Sequence, residues 1–487
     1  MRAQVSESIR GLGVLPQPDA VDAIELASDP QGALGAVLAH LKALDEPPVL
    51  LSKALVESIL TDRPGVAAAS GPLPRASLIH PAADVEGVVQ VLKDPTGEST
   101  CEGRLQDFER YFHDRLSRLR RILRTRREAS GAQEISRLKA RAGGVRAIGM
   151  VGDVRRPPGG GVYFDLEDET GSVRCVCGKR APAPADLVND EVVLVVGNLA
   201  AGGDPALFVD EVVRPDVPST TPGRRAGEDV AAAFISDIHL GSKTFLDAQW
   251  RKFLSWLQGD YARKDELARR VKYLVISGDL VDGVGVFPNQ EHALAIPDLE
   301  EQYRTLAKYL QELPDHIEVV MIPGNHDGVR PAEPQPALPL RARRAFDSQI
   351  HFLGNPCEVA LDGVRVLAYH GRSFDDLVTN IQGMSYRFPL EMMEILLRKR
   401  HLAPIYGDKT PLAPEHRDWL VIDEVPDIFV TGHVHLTGAR TYKSVTLVHD
   451  SAWQAQTEYQ KMMNLVPDPA RVPVVNLRTR EVSLVQF

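Results

Sequence analysis

Cysteine is scarce in this chain: its 487 residues include four, Cys101, Cys175, Cys177 and Cys357. None has the paired spacing of a zinc ribbon, and so few thiols fit a reduced cytosol better than a disulfide-stapled scaffold. Cys175 and Cys177 stand two apart on an expected strand and face the same way, but no second ligand pair lies nearby, so they read as core residues. Long apolar runs are missing too. No stretch approaches bilayer-spanning length, and Met1 to Arg10 is polar and charged; the expectation is an unprocessed cytoplasmic protein with no membrane partner. A strong positive balance is also lacking. Lys and Arg number 56 against 66 Asp and Glu, a formal net charge of -10, which excludes a protein that coats nucleic acid wholesale and confines any such contact to a local surface.

What is present is enough chain for two to four domains. Residues 1–60 carry apolar positions at helical spacing, broken at Asp29-Pro30 and Pro47-Pro48, and predict a small helical module. Residues 61–103 are punctuated by Pro, Gly, Ala and Ser and predict a linker. Residues 104–144 form a basic helix and connector: Leu105, Phe108, Phe112, Leu116, Leu119 and Leu123 make one stripe, and Arg crowds the rest. That Arg face suits DNA or an acidic partner, and equally a solvated surface. From 145 to 216 the period shortens to strands with Gly turns, which predicts a small Greek-key barrel of the oligonucleotide-binding (OB) type. Its stacking aromatics are few, chiefly Tyr163, Phe164 and Phe208, which favours a bracing barrel over a single-strand reader. Residues 217–229 form a second linker, and 230–487 the last domain.

Five phrases organise that domain: Phe234-Ile-Ser-Asp-Ile-His239, Ile276-Ser-Gly-Asp-Leu-Val-Asp282, Ile322-Pro-Gly-Asn-His-Asp327, Ala368-Tyr-His-Gly371 and Val430-Thr-Gly-His-Val-His435. Each is an apolar, β-prone run ending in metal-ligand residue types, the pattern of a buried strand delivering side chains to its carboxyl end. Strands alternate with helices early in the domain and further strands follow later. The fold class expected is multidomain α/β, with a helical N-terminal module, an OB-type barrel and a two-sheet sandwich flanked by helices in α/β/β/α layers.

In this order the phrases resemble the calcineurin-like metallophosphoesterase superfamily. The resemblance implies that Asp237, His239 and His435 hold one divalent ion, that Asn325, His370 and His433 hold a second, and that Asp279 bridges both. Two carboxylates, one amide and four imidazoles suit Mn, Fe or Zn, with Mg also admissible, and argue against a structural zinc knot. His326 stands inside the motif without being needed as a ligand, so it is the candidate to stabilise the transition state or protonate the leaving oxygen; the bland alternative is a hydrogen bond to a backbone carbonyl. Asp327 is expected to orient His326 or a ligand. Arg330 and Arg372 follow ligand strands closely and are candidates to grip a phosphate.

Four longer phrases, Gly283 to Gln290, Gly324 to Pro336, Arg400 to Gly407 and Trp453 to Asn464, are similar to the small subunits of archaeal family D DNA polymerases. That resemblance runs from the Arg-rich helix to Phe487 and is weak over the first hundred residues. It implies a 3'–5' exonuclease using manganese and proofreading for a large catalytic subunit that carries out synthesis. DNA with single-stranded or mismatched 3' ends is then the substrate, the sliding clamp a further candidate partner, and the nucleoid the working place. Two other readings stay open: a catalytically silent scaffold subunit, and a free-standing phosphatase or cyclic phosphodiesterase.

Overall fold

The computed structural model describes all residues except 1–4, 6–7, 10–13, 26, 28–29, 43–49, 54–55, 57–58, 60–80, 140–143, 159, 179–182, 201–205, 220–221, 260–264, 347–348 and 463. The chain divides into two units, Met1–Ser77 and Leu78–Phe487. In the first, strands β1 (Leu15–Pro16) and β2 (Leu50–Leu51) pair in parallel beside the helices Pro18–Glu25 and Pro30–Lys42. Val21, Ile24, Val37 and Leu41 come from the apolar stripes of those helices and form their core. The expected helical segment 51–60 lies partly outside the described residues.

Of the expected linker 61–103, residues 61–80 lie outside the described residues, but 81–103 is folded: β3 (Val89–Lys93) pairs antiparallel along the edge of a sheet. Ala82, Val85 and Val89 reach the core between two sheets, and an edge strand's free backbone groups supply the pairing.

The helix Leu105–Arg124 divides its arginines: Arg110, Arg121 and Arg124 are exposed, as a solvated face requires, and two others turn inward. Leu105 is exposed, whereas Arg115 and Arg118 are buried. Arg115 donates to Asp418 Oδ2 at 2.7 Å, to the Pro404 carbonyl at 2.7 Å, to the Asp190 carbonyl at 3.2 Å and to Tyr111 Oη at 3.0 Å. Arg118 reaches Asp423 at 2.8 Å and the Asp418 carbonyl at 2.6 Å. These guanidiniums therefore fasten the helix to the rest of the unit, and the Arg-to-carboxylate bonds offset the cost of removing both charges from water.

Strands β4 (Val145–Arg155), β5 (Val162–Asp168), β6 (Gly171–Cys177), β7 (Val192–Leu199) and β8 (Ala206–Val213) close into a barrel in the order β4-β5-β6-β8-β7. All pairs are antiparallel except β6 with β8. Cys175 and Cys177 point into its interior with Phe164 and Val195, and burial pushes the Cys177 thiol up to about 11. Tyr163 and Phe208 are exposed.

The remainder forms two six-stranded sheets. In the first, β9 (Ala231–Ile235), β10 (Val271–Ser277), β11 (Glu318–Ile322) and β12 (Ile350–Phe352) run parallel, and β18 (Arg471–Asn476) and β19 (Val482–Gln486) complete the far edge. In the second, β14 (Val364–Ala368), β15 (Ile428–Thr431) and β17 (Val445–His449) are parallel, flanked by β13 (Cys357–Leu361) with β3 on one side and β16 (Gly438–Tyr442) on the other. Alternation sets the layers. Ala232, Phe234, Tyr273 and Val275 face the second sheet's Val366, Ala368, Ile428 and Val430. Their neighbours Ala233, Ile235, Leu274 and Ile276 face Trp250, Phe253 and Leu306 of the outer helices, as a period of two requires. The helices Phe374–Asn380 and Pro389–Lys399 cover the opposite face of the second sheet.

Arg115→Ala leaves the buried Asp418 carboxylate with only His401 and the Leu420 amide, and a broken buried pair costs about 3–5 kcal/mol. Chemical denaturation should show a loss of that size, while Arg137→Ala, which removes an exposed partner of Glu134, leaves the midpoint unchanged.

Candidate metal centre

Every expected ligand sits just past the carboxyl end of a parallel strand. Asp237 and His239 follow β9, Asp279 follows β10 and Asn325 follows β11; from the second sheet His370 follows β14, and His433 and His435 follow β15. The backbone turns sharply there. Asp237, His239 and Asp279 have φ of 48°, 48° and 49°, and His433 and His435 have 79° and 60°. Such left-handed conformations cost about 1–3 kcal/mol each in non-glycine residues and persist only where neighbours over-determine them. Here Asp237 N donates to the Gly278 carbonyl at 2.9 Å and His239 N to the Asp279 carbonyl at 3.1 Å. The His433 amide donates to Asp237 Oδ2 at 2.8 Å. Two of the motif glycines are required by close approach: a Cβ on Gly324 would stand 2.3 Å from Asp279 Oδ1, and one on Gly432 2.5 Å from Asp237 Oδ2.

Donor atoms of Asp237, His239 and His435 gather within 4.8 Å of one another, and so do those of Asp279, His370 and His433. His239 Nε2 lies 3.1 Å from His435 Nε2, which is 3.3 Å from Asp237 Oδ1. On the other side His370 Nε2 is 3.0 Å from Asn325 Oδ1 and 3.3 Å from Asp279 Oδ2. Asp279 Oδ2 is also 3.9 Å from His239 Nε2, so this carboxylate lies between the groups. The arrangement fits divalent cations. Asp237 Oδ1 is buried with no hydrogen-bond partner, and it faces imidazole nitrogens too close together to serve as each other's environment without a shared cation or proton. Burial disfavours the Asp279 charge, but the imidazoles of His370 and His326 outweigh it and hold the carboxyl well below its usual range. Burial likewise opposes protonation of His370, yet the Asp279 carboxylate pushes it up to about 10.

His326 is half-buried. Its backbone N–H donates to Asp279 Oδ1 at 2.8 Å, and its Nδ1 lies 2.8 Å from the Asp282 carbonyl. A carbonyl only accepts, so Nδ1 carries the proton and Nε2 is the ring nitrogen left free. The bland role and the catalytic one are thus compatible, one at each nitrogen. Asp327 does not bond to the His326 ring. Its Oδ2 accepts from Gly324 N at 2.8 Å and Leu280 N at 3.2 Å, and its Oδ1 from Tyr303 Oη at 3.1 Å, which ties the Asp279 and Asn325 loops together. Burial, reinforced by the Asp279 charge, raises its carboxyl to about 7. Arg330 is engaged by Glu415 at 2.7 Å and by the Pro334 carbonyl at 2.9 Å. Arg372 makes one 3.3 Å bond to the Pro331 carbonyl and stays half-exposed.

Sequence reasoning missed the groups behind the ligands. Asp282 Oδ1 lies 3.1 Å from His239 Nδ1, Gln460 Nε2 2.8 Å from His435 Nδ1, and Asp375 Oδ1 3.3 Å from His433 Nε2. A carboxylate in that place fixes the tautomer and orientation of a ligating imidazole, and Gln460 holds the orientation of the His435 ring. Asp282 stands inside one of the five phrases and could have been singled out; nothing local marks Gln460 or Asp375.

Residues 232–437 match the family model described as the DNA polymerase alpha/epsilon B-subunit. The chain is 45% identical over 389 residues to the DNA polymerase II small subunit of Archaeoglobus fulgidus, covering 79% of this chain and 78% of that one. It is 40% identical over 473 residues to the DNA polymerase II small subunit of Methanothermobacter thermautotrophicus, covering 95% and 96%. Among solved structures, one described as a novel archaeal phosphodiesterase aligns over 53% of this chain and all of its own at 12% identity, with a TM-score of 0.27.

Loss of a carboxylate behind a ligating histidine typically weakens metal binding about 10–100-fold. Titration calorimetry with manganese should find that loss in Asp282→Ala and no loss in Asp298→Ala, which alters only an exposed helix cap.

Proposed function

The chain belongs to the family of archaeal DNA polymerase II small subunits, and from that premise we propose that it is the hydrolytic half of a heteromeric DNA polymerase. In this reading it is a 3'–5' exonuclease that uses two divalent ions, manganese by preference, to trim single-stranded or mismatched 3' ends left by a large catalytic subunit. The observation that carries the reading is the set of donors converging around Asp279 from both sheets, with Asp237 Oδ1 buried and without a hydrogen bond.

Asp237, His239 and His435 would hold one ion and Asn325, His370 and His433 the other, with Asp279 common to both. When bound, such ions would supply an activated water and neutralise phosphate oxygens. The protein's own groups do the rest. Asp282, Gln460 and Asp375 keep the imidazoles of His239, His435 and His433 turned towards the donor cluster. His326, whose Nδ1 proton is held by the Asp282 carbonyl, offers Nε2 to the phosphate oxygens or the leaving oxygen as negative charge develops. Asp327 keeps the loops bearing Asp279 and Asn325 at a fixed separation.

A silent scaffold has no use for seven convergent donors, several of them in costly backbone conformations. A free-standing phosphatase leaves unexplained the family membership and the barrel fastened to the site-bearing domain.

The test is cleavage of single-stranded and mismatched primers labelled internally, by the full chain with its large subunit in manganese. The expected result is stepwise loss from the 3' end, reduced to background in Asp279→Ala and His370→Ala. Activity that survives both substitutions refutes the site. Inactivity with every divalent ion, in a stable complex, points to the scaffold, and hydrolysis of small phosphomonoesters but not DNA to the phosphatase.

A further inference from the structure

The loop 283–289 leaves the Asp279 phrase and runs past His326. Its backbone is anchored. Gln302, fully buried, accepts from Gly283 N at 3.0 Å and donates to the Gly283 carbonyl at 3.2 Å. Gln290, also buried, accepts from Val286 N at 2.8 Å and donates to the Asp282 carbonyl at 2.7 Å. On this fixed frame the side chains are apolar and turned outward: Val284 is 51% exposed, Val286 38% and Phe287 43%. The Phe287 ring centroid is 6.4 Å from that of His326 and tilted by 58° to it. The Asp282 carbonyl that takes Gln290 also lies 2.8 Å from His326 Nδ1, so the loop and the imidazole are positioned by one atom.

The exposed part of the Phe287 ring is apolar surface left in water, and neither a metal ion nor a phosphate is recognised by it. A nucleobase is: every base has a π-face, and base stacking on an aromatic side chain is worth about 1–3 kcal/mol. We propose that Phe287 is a specificity residue, a platform on which the terminal base of the substrate strand stacks beside His326 once that base is unpaired. The proposal rests on the nuclease reading and adds how such a site would favour frayed ends. A base inside a duplex has both faces covered by its neighbours and cannot take the platform, whereas an unpaired terminal base can leave the stack at little cost. Val284 and Val286 are exposed on the same loop and add apolar surface to it.

The experiment uses the complex with the large subunit and two single-stranded oligonucleotides in manganese, identical except that one ends in an abasic 3' nucleotide. With the unaltered chain KM should be lower for the base-bearing end, by roughly 5- to 150-fold. Phe287→Ala should raise KM for that end towards the abasic value, leave the abasic KM and both kcat values in place, and be rescued by Phe287→Trp. Equal loss on both oligonucleotides, or no loss on either, overturns the proposal. So does weaker association with the large subunit while the preference for a base persists, which would place Phe287 in the subunit interface. If the unaltered complex cleaves neither oligonucleotide, the nuclease reading itself falls and takes this inference with it.

Discussion

The structure depends on keeping the carboxylate of Asp279 between imidazoles delivered by two different sheets. His239 comes from the first sheet and His370 from the second, and both ring nitrogens lie within 4 Å of Asp279 Oδ2. Their separation is set by the apolar layer between the sheets, where Phe234, Val275 and Ile322 meet Val366, Ile428 and Val430. Packed interiors are close to crystalline in density and transmit small changes in volume. A change in that layer therefore reaches the donors without touching one of them.

The same constraint explains the local chemistry. Side chains from adjacent strand ends must meet in a space that admits no spare Cβ, hence glycine before Asn325 and before His433. The ligand backbones turn through left-handed conformations, and the hydrogen bonds that hold them run between ligand loops. Asp237 Oδ2 receives the His433 amide and Asp279 Oδ1 the His326 amide. The donors are preorganised by one another, which is what a site that binds charged groups at fixed geometry requires. Further out, Arg115 links the helix Leu105–Arg124 to the Asp190 carbonyl next to β7 and to Asp418 near the second sheet's helices. The barrel and the site-bearing sheets are thereby held to one another through a buried cation.

The ligand strands were legible in the sequence because each is a short apolar run closed by donor residues, and both features are local. The barrel was legible for the same reason, as strands and Gly turns succeed one another along the chain. What was hidden depends on partners remote in sequence. Nothing about Arg115 distinguishes it from the other arginines of its helix until Asp418, 303 residues on, comes to rest against it. Strand β3 sits in a stretch punctuated by Pro and Gly, and its pairing partner is β13. The partner of Arg330, Glu415, likewise comes from a distant loop. Gln460 and Asp375 acquire roles only once His435 and His433 are placed beside them.

The two-ion reading of Asp279 is tested most directly by anomalous scattering from crystals of the full chain soaked in manganese, recorded at the manganese absorption edge. Two peaks about 3.5–4 Å apart, one beside Asp237, His239 and His435, the other beside Asn325, His370 and His433, and both in contact with Asp279, are the result expected. A single peak, or peaks that do not share Asp279, would contradict it.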